Sequence, residues 1–95
     1  MDTDTTIITR KYVLSGRVQG VGFRWFTKRL ADEYGIKGFA KNQFDGSVLV
    51  VAQGSQECIE SFERGLAEGP SYARVDRMRI EPPDRDEYFR YFEIR

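Results

Sequence analysis

Residues 12–35 read YVLSGRVQGVGFRWFTKRLADEYG, a stretch in which the hydrophobic period changes once. Tyr12, Leu14, Gly16 and Val18 oppose Lys11, Ser15 and Arg17, the period-2 signature of a half-buried strand over Tyr12 to Val18. Phe23, Phe26, Leu30 and Tyr34 then recur at steps of three and four, a helical stripe closed by Gly35 as a C-terminal cap. The helix is expected to begin close to Gly22, with glycines in the junction between the two elements.

Working outward, Phe39 to Phe44 and Ser47 to Gln53 flank Asp45-Gly46. That dipeptide predicts two antiparallel strands joined by a two-residue turn with positive φ at both central residues. Ser55 can cap a helix that buries Ile59, Phe62 and Leu66 and stops at Gly69 and Pro70. A strand near Ala73 to Glu81 follows, where the apolar phase slips between Val75 and Met78, the mark of a bulge or an irregular edge. Beyond Pro82-Pro83, Phe92 and Ile94 alternate with Glu93 and Arg95 in a closing strand. The order βαββαβ plus a closing strand is a split-βαβ, ferredoxin-like α+β pattern, with two helices on one face of a mostly antiparallel sheet. Residues 9–95 are expected to form one domain behind a flexible tail of residues 1–8.

Composition removes several classes of chemistry. With no histidine among 95 residues, a Ser/His/Asp triad, an imidazole base and a His-ligated zinc are all excluded. The lone Cys58 excludes an internal disulfide, a CxxC redox pair and a multi-cysteine metal site. Fifteen basic and fifteen acidic residues give zero formal charge, so any preference for anions is local. The longest apolar run is Val48 to Ala52, far short of a membrane span, and the start of the chain lacks a basic, apolar leader. Cytoplasm is the default expectation.

The junction GRVQGVGFR, Gly16 to Arg24, supports two readings. Glycines let backbone N–H groups converge, a helix start adds unsatisfied donors and partial positive charge, and Arg24 can supply a bidentate fork, which together make an anion cradle suited to phosphate. Alternatively the glycines only shape a tight turn and Arg24 is solvated. A Walker loop and a dinucleotide fingerprint both fail, because Gly20-Val21-Gly22 runs into Phe23, Arg24 and Trp25. Cys58 and Arg64 have the spacing of a cysteine phosphatase, but the residues between them lack glycine, include two carboxylates and fall inside the second helix; Cys58 is expected to pack at or near the core. Asn42 is unusual in a strand, and its amide can hold a water in line with a bound phosphorus or simply serve as an exposed sheet residue. Asp45 is explained by the turn.

At these residues a family resemblance emerges. Gly16 to Arg24 resembles the first signature of the acylphosphatases, and Lys41 to Val48, KNQFDGSV, resembles the second, in the same order. The likeness continues through Thr27, Phe62, Leu66, Gly69-Pro70, Ala73, Val75 and Phe92 to Ile94, and so covers about Tyr12 to Arg95. It implies the ferredoxin-like fold and hydrolysis of the carboxyl-phosphate bond of an acyl phosphate, without metal, cofactor or covalent phosphoenzyme. Gln19, Gly20, Val21, Gly22, Phe23 and Arg24 would form the phosphate-binding loop. Arg24 would be the catalytic arginine that holds the phosphoryl oxygens, and Asn42 the catalytic asparagine that orients the attacking water. Phe39 and Ala40 depart from the family, which more often has Trp and Val there.

The implied partners are an acyl phosphate substrate and inorganic phosphate as product, with no nucleic acid and no membrane, and a monomer as the default. A non-catalytic binding module is the main rival, since related domains occur within larger carbamoyltransferases. An RNA-binding domain of the same architecture would want aromatics on its central strands and a basic face. Arg74, Arg77, Arg79 and Arg85 are read instead as the charged guard of an edge strand.

Overall fold

The computed structural model describes residues 6–95. Its elements are β1 (Ile7–Arg17), α1 (Phe23–Tyr34), β2 (Lys37–Asn42), β3 (Val48–Ser55), α2 (Gln56–Glu68), β4 (Arg74–Glu81) and β5 (Phe92–Ile94). They build one five-stranded sheet in the order β4-β1-β3-β2-β5, antiparallel throughout except for the β2–β5 pair. This is the ferredoxin-like α+β arrangement that the order of periodic segments predicts.

Alternation along the strands decides which face carries the helices. Tyr12, Leu14, Ala40, Val48, Val50, Ala52 and Phe92 point to one side and pack against Phe23 and Ala31 of α1 and Ile59, Phe62 and Leu66 of α2. The opposite face holds a smaller cluster of Phe39, Val51 and Phe89, roofed by the segment that leads to β5. Gln53, buried on that second face, fastens the roof: its Nε2 donates to Glu87 O at 2.6 Å and Thr9 Oγ1 at 3.0 Å, and its Oε1 accepts from Phe89 N at 3.0 Å. Tyr12 is fully buried, yet its hydroxyl reaches Glu63 Oε1 at 3.0 Å, where Arg10 Nη1 also donates at 2.8 Å. Burial and the neighbouring carboxylate push the Tyr12 phenol well above its ordinary value.

The structure departs from the sequence-based expectations at several strand ends, with β2 at Lys37–Asn42 and β3 at Val48–Ser55 instead of Phe39 to Phe44 and Ser47 to Gln53, and in one turn. β1 begins at Ile7, paired with Ser55, so the limit of the expected tail at Ile8 falls inside a strand; Met1 to Thr5 lie outside the described residues. The adjacent Ile7-Ile8 break the period-2 pattern, which is why alternation locates only the part from Tyr12 onward. The hairpin turn is also one residue longer than Asp-Gly suggests. Gln43 N donates to Ser47 O at 2.9 Å and Gly46 N to Gln43 O at 3.1 Å, and of the turn residues only Gly46 has positive φ, at 93°. A three-residue loop satisfies strand twist with one left-handed residue instead of two, leaving Asp45 free to bond Ser47.

The bulge expected from the phase slip is present. Ser15 faces Arg77 but Gly16 faces Val75, so Asp76 is an extra residue in β4. Only glycine fits opposite it: at φ 128°, a Cβ on Gly16 would collide with the Arg74 carbonyl and lie 2.8 Å from Asp76 N. Gly16→Ala should therefore lower the unfolding free energy by about 2–3 kcal/mol, from strain plus displacement of β4. Urea denaturation measures it, and an unchanged midpoint would refute the steric account.

Candidate active site

The loop predicted to cradle an anion lies where β1 gives way to α1. Gly20 and Gly22 take left-handed φ of 75° and 77°, which folds residues 19–22 into a tight turn and delivers the chain into the helix. Gly22 is the N-cap and offers no side-chain acceptor, and the first turn holds no acidic residue. The first bond into the helix is Phe26 N to Gly22 O at 3.0 Å, so the amides of Phe23, Arg24 and Trp25 are its orphan donors. α2 shows the contrast: Ser55 Oγ accepts from Cys58 N at 3.3 Å, and Glu57 sits in the first turn. Of the two helix starts, only that of α1 lacks both a side-chain cap and an acidic first turn, the features that would otherwise answer its positive end.

The predicted loop residues divide by role. Phe23 sends its ring into the core, and Val21 packs at the core margin, so both can serve the cradle only through the backbone. The Gln19 side chain is engaged elsewhere: its Nε2 donates to Gln43 O at 2.7 Å and Ser47 O at 2.8 Å. These bonds press the cradle loop against the hairpin that carries Asn42. Arg24 is half-buried, and its Nη1 donates to Arg95 O at 2.9 Å, while Lys28 Nζ reaches Phe92 O at 3.1 Å; two cations thus pin α1 to β5 and to the residue that follows it.

Asn42 ends β2, with Ala40 beside it on the helix-covered face. Its Oδ1 is buried and has no hydrogen-bond partner, the one such side-chain atom among the described residues. A buried acceptor left unpaired costs about 1–3 kcal/mol, so the position is suited to a donor that comes from outside the protein. An open cleft of about 520 Å³ lies there, lined by Lys41, Asn42, Gln43 and Phe44. Ser47, which the sequence reading did not single out, orders the hairpin: its hydroxyl donates to Asp45 Oδ1 at 2.6 Å and lies 2.9 Å from Gln43 Oε1, and its N–H donates to Asp45 Oδ1 at 2.9 Å. The Ser47 hydroxyl and then its amide hold the Asp45 carboxyl below the usual carboxylate range. The signal for Ser47 was its place two residues after an aspartate in a turn.

Cys58 is half-buried in α2 against the core, inside a continuous helix with no loop around it. Among the described residues no group of three or more His, Cys, Asp or Glu is placed to hold a metal ion, and no helix is long and apolar enough to cross a membrane.

Comparisons with known proteins point to one family. The family model described as Acylphosphatase matches residues 10–94. The acylphosphatase of Mannheimia succiniciproducens is 50% identical over 72 residues, which span 76% of this chain and 80% of that one. The crystal structure of the acylphosphatase from Bacillus subtilis superposes with a TM-score of 0.86 at 30% identity, covering 94% of this chain and 98% of the other. Full-length HypF, solved in its phosphate- and nucleotide-bound form, matches 99% of this chain with 12% of its own length, at a TM-score of 0.83 and 28% identity. The chain belongs to the acylphosphatase family.

Two outcomes follow from the hairpin network. Gln19→Leu should cost about 1–3 kcal/mol of stability, because two carbonyls lose their donor, and chemical denaturation reads this directly. A depressed carboxyl contributes stability above its unfolded value and loses it as pH falls through the folded one. Asp45→Asn should therefore flatten the decline in stability as pH falls below the ordinary carboxylate range. Parallel acid limbs in variant and wild type would count against the Ser47 contacts.

Proposed function

We propose that the protein hydrolyses acyl phosphates to a carboxylate and inorganic phosphate. Arg24 and the backbone N–H groups of Gln19, Gly20, Val21, Gly22, Phe23 and Arg24 hold the phosphoryl group, and Asn42 orients the water that attacks phosphorus. The observation that carries the reading is the buried, unpaired Oδ1 of Asn42, on a hairpin that Gln19 ties to the loop leading into an uncapped, arginine-bearing helix start. An attacking water donates a hydrogen bond to that oxygen and is thereby turned, lone pair foremost, toward the phosphorus. The P–O bond to the acyl group breaks as the new one forms, and the carboxylate leaves without needing a proton.

Charge stabilisation and alignment suffice for such a substrate, whose leaving group is already good. No protein base is assigned. Asp45, the carboxylate closest in sequence to Asn42, is tied to Ser47 and made less basic by it, so the proton lost by water passes to a phosphate oxygen of the substrate. The reaction so described uses no metal and no cofactor. Action as a monomer in the cytoplasm completes the proposal; with Cys58 the sole cysteine, the fold makes no demand for an oxidising compartment.

The test is hydrolysis of benzoyl phosphate in EDTA, with p-nitrophenyl phosphate as a monoester control. Wild type should turn over the acyl phosphate alone. Arg24→Ala should lose both phosphate affinity and rate, about 10²-fold or more in kcat/KM, since its contact serves ground and transition states. Asn42→Ala should lower kcat by a similar factor while inorganic phosphate still binds as in wild type. Full activity in Asn42→Ala removes the water-orienting role; a folded wild type that binds phosphate without turnover makes the cradle a binding module.

A further inference from the structure

Two large aromatic side chains stand exposed beside the proposed site, Trp25 on the first turn of α1, 64% exposed, and Phe44 in the hairpin turn, exposed throughout. Exposure alone decides nothing, since single apolar residues are common on protein surfaces. Their positions, however, differ with respect to the reaction. Asn42 shares its face of the sheet with Ala40, so its side chain rises from the sheet into the layer that the helices occupy. α1 buries Phe23, Thr27 and Ala31 toward that face. Trp25, two residues beyond Phe23, comes about 200° around the helix axis and faces away from the sheet. Among the described residues its ring stacks on no other aromatic, and its indole N–H has no protein partner.

A water on Asn42 Oδ1 approaches phosphorus from the sheet side. Attacking and leaving oxygens lie roughly in line through phosphorus, so the acyl group departs on the far side, away from the sheet. Trp25 stands on that side, whereas Phe44 lines the same cleft as Asn42 and stands on the side of the water. We propose that Trp25 is the specificity-determining residue for the acyl group, its indole face taking the apolar body of that group while the glycine loop takes the phosphoryl end. The proposal rests on the roles given above to the loop, Arg24 and Asn42, and it adds a substrate class: acyl phosphates whose acyl group carries a flat aromatic or extended apolar body. An acetyl group ends one carbon past its carbonyl and falls short of the indole; a benzoyl ring reaches it. Such a contact serves ground and transition states alike, so it acts on KM and leaves kcat as it is.

The measurement compares benzoyl phosphate with acetyl phosphate in wild type, Trp25→Ala, Trp25→Phe and Phe44→Ala. Trp25→Ala should raise KM for benzoyl phosphate about three- to tenfold, the range of one aromatic contact, with kcat and every constant for acetyl phosphate unchanged. Trp25→Phe should recover most of the loss. Trp25 is the sole tryptophan, so its emission reports on the contact without chemistry. Phenacylphosphonate, in which a methylene replaces the bridging oxygen of benzoyl phosphate, should quench that emission, and inorganic phosphate bound to the same loop should not. Equal changes for both substrates in Trp25→Ala, or a benzoyl-specific loss in Phe44→Ala in its place, overturn the proposal and leave the hydrolase reading standing. Turnover of neither substrate by folded wild type removes the hydrolase reading and the proposal together. Should Trp25→Ala not fold, emission of the wild type decides: no response to phenacylphosphonate at concentrations that displace phosphate refutes the contact.

Discussion

The Gln19 amide donates to two carbonyl oxygens, those of Gln43 and Ser47, and these bonds set a glycine loop against a strand end that is remote from it in sequence. Everything in the site depends on that juxtaposition. In the proposed reading the loop alone is an anion cradle without a nucleophile, and the strand end alone is a buried amide oxygen without a partner. The two become one site because β1 and β2 both pair with β3, which puts the end of β1 and the end of β2 at the same rim of the sheet.

The two helices show how local sequence sorts structural ends from functional ones. α2 starts in a conventional way, with a serine cap and an acidic first turn, and its amides are partly satisfied from within. α1 starts on a glycine in a left-handed conformation, with an arginine in place of an acid. Such a start forgoes roughly a few tenths of a kcal/mol of capping and places like charge near the positive end of the helix dipole. A protein that tolerates both has the helix start held by other means, here by Phe23 in the core and by the bonds from Arg24 and Lys28 to β5 and the residue that follows it.

Much of this was legible in the sequence, for reasons that can be stated residue by residue. Hydrophobic period placed both helices and the order of strands, and the phase slip after Val75 marked a bulge or an irregular edge in the strand where Asp76 is the extra residue. The paired signatures around Arg24 and Asn42 pointed to the family that the comparisons show. Period failed at Ile7-Ile8, where two adjacent apolar residues hide a strand, and the Asp45-Gly46 signal gave the wrong turn length because Asp45 bonds Ser47 instead of adopting positive φ. Gln19, Gln53 and Arg24 were beyond reach as structural fasteners. Their partners lie 24 to 71 residues away, and nothing local to a glutamine or an arginine says which main-chain oxygen it meets.

The donors and acceptors gathered at the cradle are backbone amides, carboxamides and a guanidinium, and the chain contains no histidine. None of these classes gains or loses a proton across the range in which cells live. The electrical character of the pocket is therefore constant, and the protonic variable during a turnover belongs to the phosphate that enters. Acidity acts on such a catalyst from outside, through the ionisation of what it binds and through the persistence of the fold around it.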